Sequence, residues 1–261
     1  MTFTTLELAF EGPVARIWLN RPELRNAFDE VVIHELSEAF SQAGAANEVR
    51  AIVLGANGTA FCAGANLNWM RRAAEFTHEQ NLSDAGGLAL MLRTIHESPK
   101  PVIARVQGDV YAGGMGLVAA CDVAVSVDTA SYCLSEVKIG LIPATISPYV
   151  LRAMGTRAAQ RYFLTAERFG AAEAHRIGFV HEVVAADALD AKVAEIVKAF
   201  IGASPAAVRA CKQLIADVAG REIDDALIAT TVQGIADIRA SEEGREGVQA
   251  FLQKRKPSWI S

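Results

Sequence analysis

The chain has little of what marks secreted, metal-binding or nucleic-acid-binding proteins. Its four cysteines, Cys62, Cys121, Cys133 and Cys211, are scattered with no CxxC pair. That excludes a disulfide framework and a zinc ribbon, and predicts reduced, mostly buried thiols in a cytoplasmic setting. The histidines, His34, His78, His96, His175 and His181, show neither HxxxH nor HExxH spacing, so no metal site is expected. Net charge is -5 over 261 residues, which leaves no whole-chain basic footprint for nucleic acid. The longest apolar run, residues 112–127, is interrupted by Asp122 and is too short to span a bilayer. The opening residues 1–7 lack a basic stretch followed by an apolar one, so no secretion signal and no membrane partner are expected. What remains, 51% hydrophobic and 21% charged residues, describes a globular chain with ample core.

Residues 6–10 and 14–19 are strand candidates flanking Glu11-Gly12-Pro13, a hairpin turn. After Asn20-Arg21-Pro22, the apolar set Phe28, Val31, Val32, Leu36, Ala39 and Phe40 recurs at helical spacing. Short β-rich runs at 51–54, 102–106 and 122–127, separated by helices, predict βα crossovers and a largely buried sheet. From about residue 145 the strand signals fade, and the C-terminal third reads as all-α. Asp187 is placed to N-cap a helix carrying Leu189, Val193, Ile196, Val197 and Phe200. Ser204-Pro205 opens another with Val208, Cys211, Leu214, Ile215 and Val218, and two more cover 222–239 and 241–254. So much apolar helix needs a core or a neighbouring subunit to cover it.

Two glycine-rich turns each follow an apolar strand candidate: Phe61-Cys62-Ala63-Gly64-Ala65-Asn66-Leu67 and Tyr111-Ala112-Gly113-Gly114-Met115-Gly116. Small residues let backbone approach a ligand, and a helix opening just afterwards leaves its first N–H groups free. Gly113-Gly114 alone reads as a helix-packing turn. Two such turns side by side aim two N–H donors at one point, which is how an oxyanion hole is built. Twenty residues past Gly116 stands Glu136, a lone carboxylate in an apolar stretch. Asn66 suits an N-cap. Trp69 and Met70 fit either an acyl pocket or the apolar face of a helix, and Arg72 stays open between an acid-binding and a surface role. Lys254-Arg255-Lys256 reads equally as a phosphate contact or a solvated tail.

These residues resemble the crotonase superfamily of enoyl-CoA hydratases and isomerases. The resemblance runs through Asn20-Arg21-Pro22, both turns, Cys121-Asp122, the segment 136–143, Leu164-Thr165-Ala166-Glu167-Arg168, Gly178-Phe179-Val180 and the final 251–255. It implies an α/β fold, a spiral of ββα repeats in residues 1–195 that binds acyl-CoA. Residues 196–261 would form a helical region that drives assembly into a homotrimer or a hexamer. The thioester oxygen would sit between the N–H groups of Ala65 and Gly113. Arg25, Ala27, Ala63 and Leu67 would line the adenine end of CoA, with Phe251 and Lys254 of the tail near it. Gly64, Asn66, Tyr111, Gly114 and Gly116 complete the expected substrate-contacting set. Coenzyme A enters as part of the substrate, and no separate cofactor is expected.

Residues 141–150, 161–169 and 180–184 are similar to bacterial methylglutaconyl-CoA and isohexenylglutaconyl-CoA hydratases. Many hydratases of the superfamily carry a second catalytic glutamate three residues after the oxyanion glycine; here that position is Gly116. Glu136 is then the only catalytic carboxylate in view, which suits hydration with another group holding the water. Reversible addition of water is the preferred reading, and a double-bond isomerase that shuttles one proton through Glu136 is the alternative. A eukaryotic relative of the methylglutaconyl-CoA hydratases also binds RNA, but the acidic net charge argues against that role here.

Overall fold

A computed structural model describes residues 3–260. The chain opens with the expected hairpin, β1 (Leu6–Glu11) and β2 (Val14–Leu19), paired antiparallel from Leu6↔Leu19 to Glu11↔Val14. α1 (Glu30–Ala45) begins where the Asp29 carboxylate accepts a hydrogen bond from Val32 N, and it buries Val32, Ile33, Leu36, Ala39 and Phe40. Val31, grouped with that face from its spacing, is exposed.

Three successive strand pairs then build two sheets. They are β3 (Ala51–Ala56) with β4 (Ala60–Cys62), β5 (Val102–Val106) with β6 (Asp109–Tyr111), and β7 (Val123–Val127) with β8 (Ser131–Cys133). Helices follow each pair: α2 (Leu67–Ala73) and α3 (His78–His96), then α4 (Gly113–Ala120), then α5 (Ser147–Thr165), which breaks at Gly155 with φ 73°. The first member of each pair enters a six-stranded sheet ordered β1-β2-β3-β5-β7-β10. The second enters a four-stranded sheet ordered β4-β6-β8-β9. This is the ββα spiral. All six residues of β3 are buried, as parallel strands covered on both faces require.

Beyond residue 145 the chain is less purely helical than its sequence suggests. β9 (Phe169–Gly170) pairs antiparallel with β8, α6 (Ala171–Arg176) follows, and β10 (Glu182–Val184) lies parallel to β7. Strands of two and three residues carry no periodicity; the edges of existing sheets define them. α7 (Leu189–Gly202) is not capped by Asp187, which falls in a preceding 3-10 turn, Ala186–Ala188. α8 (Pro205–Val218) does start as expected, with Ser204 Oγ accepting from Ala207 N. α9 (Asp225–Ala240) and α10 (Glu242–Leu252) are capped by Asp224 and Ser241, so residues 222–224 lie outside α9. The position 195/196 lies inside α7, whose Leu189, Val193 and Val197 join the core. Among the described residues no helix is long and apolar enough to cross a membrane, and no cluster of His, Cys, Asp or Glu suits a metal ion.

Candidate active site

β4 and β6 are parallel neighbours, pairing Ala60 with Asp109 and, after a one-residue register shift, Cys62 with Val110, so both strands end at the same edge. The chain leaves each into a turn and then a helix, and the two glycine turns therefore meet. Gly64 has φ 87°, and a Cβ built on it would lie 2.9 Å from Ala112 Cβ and 3.7 Å from Gly113 N. A Cβ on Gly113 would strike the Phe28 ring at 2.3 Å, and one on Gly114 would come 2.7 Å from the Cys62 carbonyl oxygen. Each glycine is required by close approach. Ala112 itself sits at φ 47°, ψ −124°, a strained setting for a residue with a Cβ, and is held there by its N–H donating to Cys133 O at 2.8 Å.

The bonding around the first turn determines where the Ala65 N–H points. Phe28 N donates to Gly64 O at 2.9 Å and Asn66 N donates to Phe28 O at 2.8 Å, which turns the intervening Ala65 N–H to the opposite side. Among the described residues, neither Ala65 N–H nor Gly113 N–H donates to a protein acceptor. Asn66 is the N-cap of α2, accepting from Asn68 N at 2.8 Å and Trp69 N at 3.3 Å.

Glu136 opens a 3-10 turn, Glu136–Ile139, just beyond β8, whose Cys133 pairs with Tyr111 of β6. Adjacent strands thus bring it to the same edge as the two turns. Its Oε2 is buried without a hydrogen-bond partner among the described residues. Burial holds its carboxyl above the usual carboxylate range, against a smaller lowering by a hydrogen bond to its own backbone.

The loop preceding α1 completes the surroundings. Asn26 Nδ2 donates to the carbonyls of Asn57 and Ala60, and Ala63 N donates to Arg25 O at 3.0 Å. These bonds gather Arg25, Ala27, Ala63 and the exposed Leu67 beside the first turn. Arg25 pairs with Asp109 at 3.2 Å, and the Tyr111 hydroxyl donates to the same carboxylate at 3.1 Å. Arg25 and Arg168 lie 5.8 and 5.3 Å from the centre of the Tyr111 ring. Phe28, Asp109 and Arg168 were not among the residues singled out as site candidates. Phe28 belongs to the first helical apolar pattern and Arg168 to the segment 164–168, but neither pattern shows that these side chains meet the turns; the fold brings them here.

The remaining candidates take up other roles. Trp69 is a core residue, its Nε1 donating to Asp84 Oδ1 at 3.0 Å and its ring 6.0 Å from Phe28. Arg72 forms an exposed ion pair with Glu30. Gly116 is buried against Ile146 and Leu92. Phe251, 82% exposed, and Lys254 belong to a tail in which α10 packs on α8 and α9, and the chain does not fold them onto the turns. Within the basic run, Arg255 is committed to Glu246 through contacts of 2.6 and 2.7 Å.

The arrangement offers two unpaired backbone donors and one buried carboxylate at a shared strand edge. The enoyl-CoA hydratase/isomerase family model matches residues 9–261. An enoyl-CoA hydratase structure from Shewanella pealeana is 44% identical with a TM-score of 0.96, over 98% of this chain and 96% of that one. One from Mycobacterium smegmatis is 35% identical with a TM-score of 0.93, over 99% and 100%. Among curated proteins, the mevalonyl-coenzyme A hydratase sidH of Aspergillus fumigatus is 34% identical over 97% of this chain and 93% of its own length. Extended almost end to end and agreeing with the observed ββα spiral, these likenesses place the chain in the enoyl-CoA hydratase/isomerase family of the crotonase superfamily.

Proposed function

We infer that the protein is an enoyl-CoA hydratase that adds water reversibly across the α,β double bond of a branched or acidic acyl-CoA, such as 3-methylglutaconyl-CoA. The observation that carries this reading is the unpartnered Glu136 carboxylate at the strand edge where the Ala65 and Gly113 N–H groups are free. The thioester oxygen lies between those donors, which hold the negative charge that develops as an enolate. Such a donor is worth about 2.7–4 kcal/mol in comparable sites. Glu136, whose protonated form is favoured by burial, delivers its proton to C2. The water oxygen bonds to C3 and its released proton restores Glu136. The likeness to a mevalonyl-CoA hydratase supports a C3-branched acyl group, because a mevalonyl group carries a methyl on C3.

Arg25, Ala27, Ala63 and Leu67 take the adenine end of CoA, and Gly64, Tyr111 and Gly114 shape the thioester turn. Coenzyme A is part of the substrate, with no separate cofactor. Phe251 and Lys254 join this set only through assembly into a homotrimer or hexamer by the tail, residues 196–261, since one chain keeps them apart. Isomerisation by Glu136 alone is the second reading, favoured by glycine at 116 where a second carboxylate would stand.

A panel of enoyl-CoA thioesters that includes 3-methylglutaconyl-CoA, scored by mass spectrometry, separates the two, because only hydration adds the mass of water. Glu136→Gln should lower turnover by about 10²–10⁴-fold while CoA-ester binding persists. Retention of most hydratase activity in that variant would show that the acid lies elsewhere.

A further inference from the structure

Gly116 stands three residues, just under one helical turn, beyond Gly113 in α4. A Cβ built on it would lie 2.3 Å from Ile146 Cγ2, 2.8 Å from Ile146 Cβ and 3.4 Å from Leu92 Cδ2. Both neighbours are core residues, Ile146 being 2% exposed. The space that a side chain at 116 would need is therefore filled by a branched aliphatic group from another segment. A carboxylate there would meet neither water nor a hydrogen-bond partner.

Ile146 is tied to the carboxylate by the segment it ends. Leu141 N donates to Glu136 O at 3.1 Å, and the Ile146 carbonyl accepts from Tyr149 N and Val150 N as α5 begins. One stretch of chain thus sets the acid at its start and the aliphatic wall at its end. Three residues advance a helix by about 4.5 Å. With the thioester carbonyl at Gly113, that step reaches the substituents of C3.

We propose that Ile146, admitted by the absence of a side chain at Gly116, is the specificity-determining residue at C3 and favours a 3-methyl-branched thioester over its straight-chain analogue. This rests on the reading that Gly113 holds the thioester carbonyl and Glu136 works at C2. The branch gains apolar contact where a two-carboxylate site would hold water, and one methyl group in such a pocket is worth about tenfold in selectivity or more.

The test compares kcat/KM for 3-methylcrotonyl-CoA and crotonyl-CoA, which differ by that methyl group. The wild type should prefer the branched ester by about tenfold; Ile146→Ala should bring the ratio close to one, with Ile146→Val between them. Gly116→Ala should cut turnover sharply in the wild type and far less in the Ile146→Ala background, because the shortened side chain makes room for the new Cβ. Ile146→Val keeps the comparison available should Ile146→Ala fail to fold. An unchanged ratio in the Ile146 variants, or additive effects of Gly116→Ala and Ile146→Ala, overturns the assignment. Deuterium exchange at C2 of isovaleryl-CoA against butyryl-CoA gives the same comparison without hydration. Exchange selectivity that depends on Ile146 in an enzyme adding no water would sustain this assignment and reject the hydratase reading. A wild type showing neither hydration nor exchange overturns both.

Discussion

Glu136 concentrates the conflict between folding and chemistry in one side chain. Burial raises its pKa, and its Oε2 has no partner to offset the loss of water. A carboxyl whose folded-state pKa lies above its unfolded value binds more protons in the native state. Its contribution to stability is therefore complete below the unfolded pKa and is lost as pH rises through the raised folded value. Glu136→Gln removes that loss. The variant should melt above the wild type at neutral pH, and the gap should narrow as the pH is brought down to about 4, the range of an ordinary glutamate. Melting curves across that range, at fixed protein concentration, check this. A gap that widens toward acid would show an ionised Glu136 that is stabilised by its surroundings. Cys62 shows the inert form of the same physics, its thiol pushed up to about 12 by burial.

At the scale of elements, the site follows from strand order. β4, β6 and β8 are parallel neighbours, so whatever follows each strand is delivered to one edge: the first turn, the second turn and Glu136. Among the helices beyond, α8 starts at the cap that the sequence shows. Ser204 has two tasks, accepting from Ala207 N at 3.1 Å and donating to Glu243 of α10, so it starts α8 and links it to the last helix. Ser204→Ala should cost about 1 kcal/mol, toward 2 because the link to α10 is lost too. Urea unfolding at fixed protein concentration measures it. A loss below a few tenths of a kcal/mol would mean that the tail is held by other contacts.

For the whole molecule, the tail is the unsettled part of the single chain. α8 buries none of its residues, α9 only Leu227 and α10 only Ala250, while Ile215, Val232, Phe251 and Leu252 remain exposed. Amphipathic helices left this bare call for a partner surface, and closed symmetry is the usual solution. Light scattering at micromolar concentration should give the mass of a trimer or hexamer of the 27.8 kDa chain. A monomer would remove the proposed role of residues 196–261, and with it the route by which Phe251 and Lys254 approach CoA. Charge reversal at a polar position of α9 gives a second check, since like charges placed across an interface lower the assembly state.

The sequence by itself determined the parts whose signals are local. The hairpin, the apolar face of α1, the Ser204 start, the buried parallel strands and the glycine turns are all written in spacing and residue type. Glu136 stood out because an acid in an apolar stretch needs a reason. Tertiary structure decided the rest. β9 and β10 exist because an edge of sheet was there to receive them. Asp187 lost its cap to a 3-10 turn, and Arg72 found Glu30 across the surface. Arg168 came to Tyr111, and Ile146 filled the space beside Gly116, through contacts between residues far apart in the chain. Periodicity and capping act within a few residues, whereas packing against Gly116 depends on which distant side chain the fold brings there.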